Sequence, residues 1–170
     1  HAELASDEKL AARFRREAAA LSALSSPHTV ATHAVGETTD GTMYIAMELL
    51  RGESLLERFR REGALPWRRV VGIVRAIAEA VGEAHALGIV HRDLKPANIH
   101  LELRQGNPDF VKVLDFGIAK TLRGSQSDLG DEITLAGQAI GTLEYMSPEQ
   151  LVGSDCDGRT DIYTLGVVAY

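Results

Sequence analysis

Residues 88–101 read GIVHRDLKPANIHL. Ile89 and Val90 have the character of a buried strand end, and Ile99 and Leu101 open a second apolar run. Between them stand His91, Arg92, Asp93, Lys95 and Asn98, which put a carboxylate, cations and an amide into one short connection. Charges in half-buried positions are costly unless they are paired or used, so this loop reads as a site rather than a linker.

Upstream of the loop, Pro66 stands at a favourable first helical position, and Val70, Val74, Ile77 and Val81 keep a helical stripe that Gly88 stops. Downstream, IHLEL (99–103) and FVKVLDF (110–116) read as strands joined by a turn in RQGNPD (104–109). Farther out, residues 54–62 read as a short helix ended by Gly63. TVATHAV (29–35) and MYIAMELL (43–50) flank GETTDG, whose Asp40-Gly41 is a hairpin signal. Ser6-Asp7-Glu8 opens a helix that runs to about residue 24, with Leu10, Phe14, Ala18, Leu21 and Leu24 as its stripe. Glu17 falls on that same face; it either sits at the edge of the stripe and reaches solvent or needs a cationic partner from elsewhere. Residues 121–139, rich in Gly, Ser, Thr, Asp and Gln, read as a long loop, and TDIYTLGVVAY (160–170) begins another apolar helix. The order is α+β, with a break near residues 49–52.

The 170 residues, 45% hydrophobic and 25% charged, suffice for one domain with a core. A net charge of −6 with scattered basic residues argues against a nucleic-acid surface. Arg75, Glu79 and Glu83 interrupt the apolar stretch 70–90, so no membrane contact is expected within this fragment. The single Cys156 excludes an internal disulfide and fits the cytoplasm. His28 and His33 lack ligand spacing, His85 reads as a helix C-terminal residue, and Arg58, Arg60 and Arg61 read as a solvated helix face.

Asp93 can take a proton from a hydroxyl, Lys95 can neutralise a phosphate oxygen, and the Asn98 amide oxygen is a hard ligand suited to Mg2+. A second acid, Asp115, ends a strand just before Gly117. Two acid-bearing loops after adjacent hairpin strands can bring Asp93, Asn98 and Asp115 around one point, which suits phosphoryl transfer.

HRDLKPAN (91–98) resembles the catalytic loop of protein kinases letter for letter, and VLDFGIAK (113–120) resembles their metal-binding segment. GTLEYMSPEQ (141–150) is similar to the end of their activation segment and DIYTLGVVAY (161–170) to the central helix of the large lobe. FRREAAAL (14–21) resembles helix C, and MYIAMELLRGESL (43–55) the fifth strand and hinge. The resemblance covers essentially the whole chain. Lys95 stands where tyrosine kinases usually carry other residues, so the likeness is to the serine/threonine type. DFGIAK with GTLEYMSPEQ looks like the bacterial, eukaryotic-like (Hanks-type) branch, with which the excess of Arg over Lys agrees. The implied fold is a partial bilobal kinase: small lobe 1–48, hinge 49–52, large lobe 53–170.

The resemblance implies ATP and Mg2+ as cofactors and proteins bearing Ser or Thr hydroxyls as substrates. Asp93 would orient and deprotonate the hydroxyl, Lys95 would steady the γ-phosphate, and Asn98 and Asp115 would bind Mg2+. Glu17 would pair with the strand-three lysine, Met47 would be the gatekeeper, and the backbones of Glu48 and Leu50 would hold the adenine. Thr142 matches the threonine that bonds near the catalytic acid. Glu149 and Asp161 match structural anchors, and Leu21, His91 and Phe116 the stack linking the lobes. His100 stands where an aliphatic side chain usually lies under the adenine; an imidazole there can stack and tune ATP affinity with pH. The glycine-rich loop and the strand-three lysine are expected before His1 and the substrate-binding helices after Tyr170, so the chain reads as a central fragment with little activity of its own. A pseudokinase scaffold is the alternative, against which the intact set Asp93, Asn98 and Asp115 speaks. Ser147-Pro148-Glu149 speaks against a small-molecule phosphotransferase. The oligomeric state is not fixed by these residues, and a dimer of the full-length protein is compatible with them.

Arg92, next to Asp93, is placed to receive a phosphothreonine from the loop beyond, and Thr134 in ITLAGQAIGT (133–142) is the candidate, with Ala136 where relatives often carry a second threonine. Phosphopeptide mapping of active full-length protein is therefore expected to find Thr134 as the main modified site of that stretch; an unmodified Thr134 contradicts this.

Overall fold

The computed structural model describes residues 8–116 and 143–170. The loop expected at 121–139, with Thr134, and Thr142 beside it, lie outside the described residues. Helix α1 (Glu8–Leu21) is followed by a two-stranded antiparallel sheet of β1 (Thr32–Glu37) and β2 (Met43–Met47). A second sheet, in the order β3-β4-β5, is built from β3 (Glu53–Ser54), β4 (Ile99–Arg104) and β5 (Asn107–Val113). Between β3 and β4 come α2 (Leu55–Glu62) and α3 (Trp67–Ala86), and after β5 come α4 (Pro148–Leu151) and α5 (Gly158–Ala169). The α+β expectation holds.

Local chemistry sets most boundaries. Helix α1 ends at Leu21 rather than near residue 24, because the next bonds tighten to Ala23 N–H with the Ala20 carbonyl and Leu24 N–H with the Leu21 carbonyl. Ser26 then meets Pro27, which disfavours helical backbone before it. In the first hairpin, Asp40 accepts from the Thr42 N–H at 3.2 Å and Gly41 N–H donates to the Thr38 carbonyl at 3.0 Å. The first strand begins at Thr32, not Thr29, since Val30 and its neighbours pair elsewhere. Val30 N–H donates to the Val113 carbonyl at 3.1 Å, and Val113 N–H donates to the His28 carbonyl at 2.7 Å. The connection after α1 is thus bonded to the edge of the second sheet before it enters the first.

Gly52 adopts φ +134, and a Cβ there would stand 2.1 Å from the Leu101 carbonyl oxygen, so the break in the sequence pattern is a place where backbone meets backbone. It lets Glu53 and Ser54 pair with Leu101 and His100, a strand the sequence pattern did not reveal. Ser54 then caps α2 in a reciprocal box with Glu57, and Gly63 closes it as expected. The β4–β5 turn is the two-residue Gln105-Gly106, with φ 51 and 82, so Asn107–Asp109 join the strand instead of the turn. Pro108 is tolerated because β5 is an edge strand. Pro66 is the N-cap of α3, with ψ 135, and not its first helical residue.

The core forms where α3 lies on the second sheet. Ile73, Ala76, Ile77, Ala80, Val81 and Ala84 face it, a stripe turned slightly from the expected one, which leaves Val70 and Val74 at its margin. They meet Ile99 and Leu101 of β4, Val111 and Val113 of β5, and Leu55, Leu94, Phe116 and Leu165, with Leu21 and Leu24 packed on the rim. Strand alternation sends Ile99, Leu101, Val111 and Val113 to this face.

Arg58 corrects the reading of a solvated basic face. It is buried, with Nε 2.6 Å from Glu53 Oε1 and Nη1 2.9 Å from Asp109 Oδ1. Arg69 clamps the same carboxylate through Nε and Nη2, both at 2.7 Å, and reaches Glu62 at 2.9 Å. The bonds from Arg69 hold the Asp109 carboxyl below its ordinary range despite partial burial. Asp109→Asn is expected to cost about 1–3 kcal/mol, because it leaves two guanidinium groups short of a partner. Arg60→Ala, on the exposed face, is expected to stay within about 0.5 kcal/mol. Urea denaturation of the full-length protein compares the two.

Candidate active site

The loop of residues 88–98 leaves α3 at its C-terminus, where Ile89 N–H returns to the Ala84 carbonyl at 2.9 Å. Its next turn is held by one carboxylate from α5. Asp161 is 1% exposed and accepts from His91 N–H at 2.8 Å on Oδ2 and from Arg92 N–H at 2.9 Å on Oδ1. His85 Nε2 lies 2.7 Å from the same Oδ2 and, facing an acceptor, carries the proton. A Cβ at Gly158 would come within 2.8 Å of the His85 ring, so a larger residue at the start of α5 would have to displace that ring. Arg92 takes a left-handed backbone, φ 62, a strained conformation for a side chain of its size, and the two N–H bonds to Asp161 hold it there.

That turn sends the side chains in different directions. His91 goes fully into the core, 4.7 Å from the Phe116 ring centroid. Its Nε2 donates to the Leu114 carbonyl at 2.8 Å, and its Nδ1 accepts the Asp93 N–H at 3.3 Å, which fixes a neutral tautomer. Burial pushes the imidazole pKa below its ordinary 6.5, against the pull of Asp161. Leu94 is buried, and a single 3-10 turn, Pro96–Asn98, follows. It brings Asn98 back over Asp93: Nδ2 donates to the Asp93 carbonyl at 2.8 Å and to its carboxylate Oδ2 at 3.0 Å. Lys95 Nζ lies 2.9 Å from the same Oδ2. Asp93, Lys95 and Asn98 thus form one cluster.

Asp115 is tied to the cluster through its neighbour: Leu114 N–H donates to the Asn98 carbonyl at 2.9 Å while the Leu114 carbonyl receives His91. Asp115 itself is exposed with φ 50, the second strained residue of the region. It lines a cavity with Leu21, Val30, Ile45, Met47 and Phe116. The donor set suits a hard divalent cation, because Asn98 spends its Nδ2 on Asp93 and so has its amide oxygen for a ligand, next to an exposed carboxylate.

Met47 ends β2, and Glu48 and Leu50 lie in the connection that follows it. Met47 is half exposed, and Glu48 N–H donates to the Ala31 carbonyl at 2.9 Å. His100 pairs across the strands with Lys112 and with Ser54, and its buried Nε2 meets no partner within the described residues. Glu17 is half-buried on α1. At the other end, Ser147 caps α4, Gln150 Nε2 donates to the Arg92 carbonyl at 2.7 Å, and Glu149 accepts from the Thr160 hydroxyl at 2.6 Å. Two residues of this region escaped the sequence reading. His85 was legible only as a helix end, and Lys112 only as a charge between Val111 and Val113, although that alternation alone sets it on the face opposite the core.

The chain matches the protein kinase domain family over residues 2–170. It is 48% identical over 167 residues to the serine/threonine-protein kinase pkn3 of Myxococcus xanthus, covering 98% of this chain and 30% of that one. It is 41% identical to the serine/threonine-protein kinase PknB of Mycolicibacterium smegmatis, over 99% of this chain and 26% of that one. The chain therefore spans less than a third of the length of these curated relatives. The crystal structure of the Mycobacterium tuberculosis PknI kinase domain aligns with TM-score 0.70 at 32% identity, over 99% of this chain and 58% of that one. The crystal structure of Rad53 1–466 in complex with AMP-PNP aligns with TM-score 0.71 at 29% identity, over 93% of this chain and 36% of that one.

Because the folded His91 resists protonation while the unfolded one titrates near 6.5, its contribution to stability is complete above that pH and is lost as pH falls below it. The loss is at most about 1.4 kcal/mol per pH unit. The melting temperature of the full-length protein is expected to drop from pH 7 to 5.5 and to drop less in His91→Phe; equal slopes contradict this role for His91.

Proposed function

The chain belongs to the protein kinase domain family, and from that premise we propose that it carries the catalytic centre of a serine/threonine protein kinase that moves the γ-phosphate of ATP to protein hydroxyls. The observation that carries the reading is the bonding of Asn98 and Lys95 to one oxygen of Asp93. It fixes a carboxylate, an ammonium group and an amide within one short loop.

Each residue then has a task. The substrate hydroxyl oxygen attacks the γ-phosphorus, the bond to the β-phosphate oxygen breaks, ADP leaves, and the hydroxyl proton passes to Asp93. Asp93 orients the hydroxyl, with its carboxylate aimed by Asn98 and Lys95. Lys95 shares its charge with the transferring phosphate. Asn98 and Asp115 are the residues that would hold Mg2+, whose contribution is to neutralise phosphate oxygens. Met47, the Glu48 carbonyl and Leu50 form the adenine edge, with His100 beneath the base, and Glu17 on α1 holds the phosphate-binding lysine of the complete site. Residues 1–48 act as the small lobe, 49–52 as hinge and 53–170 as part of the large lobe. Arg92 receives the phosphate of Thr134, and Thr142 steadies Asp93. Among the described residues no helix is long and apolar enough to cross a membrane. The proposed setting is the cytoplasm, with ATP and protein substrates as partners.

In the full-length protein, Asp93→Asn is expected to lower ATP-dependent phosphorylation of a generic protein substrate by about 10²-fold or more. Undiminished transfer overturns the assignment.

A further inference from the structure

Lys112 is a lysine in a place where lysines are seldom found: on β5, between two core valines, 5% exposed. Its ammonium lies 2.5 Å from Glu48 Oε1 and 3.1 Å from the Thr29 carbonyl. Glu48 Oε1 also accepts the Ala31 N–H at 2.8 Å, while the Glu48 N–H donates to the Ala31 carbonyl. One residue thus satisfies both backbone groups of Ala31, and one buried cation ties that residue to the second sheet. Burial raises the Glu48 carboxyl pKa, but the hydrogen bonds from Lys112 and Ala31 outweigh it and keep the group below its ordinary range.

The placement gives the pair a consequence that the proposed catalytic cluster does not explain. Glu48 directly follows Met47, at the end of β2. Lys112 stands two residues before Leu114, which bonds the Asn98 carbonyl, and three before Asp115. His100, paired across from Lys112, shares its face of the sheet. The ion pair therefore ties the connection that follows β2 to the strand that leads into Asp115. A partly buried pair of this kind is weak evidence for stability, because desolvation offsets its attraction, but removing the Glu48 carboxylate leaves the buried Lys112 ammonium with little solvent to replace its partner.

We propose that Lys112 and Glu48 are positioning residues for the nucleotide, holding the adenine-binding connection at a fixed spacing from the strand that leads into Asp115. This rests on the kinase reading given above. In the full-length protein, Lys112→Met and Glu48→Gln are each expected to raise the KM for Mg2+-ATP, and its Kd by calorimetry, about tenfold, with kcat within about threefold of wild type. The double variant is expected to be no worse than the worse single one. An unchanged KM and Kd in both single variants, a loss confined to kcat, or additive losses in the double variant overturns the proposal. If circular dichroism shows that Lys112→Met does not fold, Glu48→Gln, which keeps the size and one acceptor oxygen but removes the charge, decides. A wild-type protein that neither binds nor uses ATP overturns the kinase reading and this proposal together. Wild-type binding with indifferent variants overturns this proposal alone.

Discussion

A single buried carboxylate, Asp161, holds the turn on which the site depends. Two consecutive backbone N–H groups and one imidazole converge on it from residues remote in sequence. Charge-assisted bonds of this kind are stronger than neutral ones, and buried bonds are not exchanged for water. They stabilise the left-handed backbone at Arg92, which a free chain would abandon. With Arg92 so turned, His91 points into the core and Asp93 outward to meet Asn98 and Lys95. The position of the reactive groups is therefore set from below, by the first turn of α5, and not by the loop itself.

Strand β5 and the residues after it distribute that order. Val111 and Val113 face the core, Lys112 reaches Glu48, and Leu114 bonds His91 through its carbonyl and Asn98 through its N–H. Phe116 then returns to the core against His91. From Val111 to Leu114 apolar packing alternates with polar tethers, so the end of β5 couples the hydrophobic interior to Glu48 on one side and to the Asp93 loop on the other.

How much of this was legible in the sequence depended on range. Asp40-Gly41, Ser54 with Glu57, and Gly63 act within a few residues, and their hairpin, cap and stop stand where the pattern put them. The cluster Asp93, Lys95 and Asn98 was legible because one 3-10 turn closes it. Partners that meet across the fold left weaker traces. Arg58 looked like a solvated charge because Asp109 is 51 residues away, and His85 looked like a helix end because Asp161 is 76 residues away. The apolar stripe of α3 was read slightly out of phase, since its true face is filled by the alanines 76, 80 and 84 as much as by larger residues. Thr29 and Val30 looked like the start of a first strand, and only the neighbouring edge of β5 shows why they pair elsewhere.

That pairing has a bearing on how the chain acquires its shape during synthesis. The segment around Thr29 is completed by Val113 and by Lys112, which lies 83 residues further along. A nascent chain with α1, β1 and β2 already outside the ribosome would hold no native partner for the Thr29 carbonyl or the Val30 N–H until the second hairpin emerged. Contacts of such long separation are slow to form and leave early segments exposed to wrong pairing. The polar character of Ser25, Ser26 and His28 keeps the waiting segment soluble, and its final bonds to Glu83 and Val111 are hydrogen bonds rather than greasy contacts. The order of synthesis and the order of assembly are therefore opposed in this region, and the β4–β5 hairpin, with its tight turn, is the natural first piece.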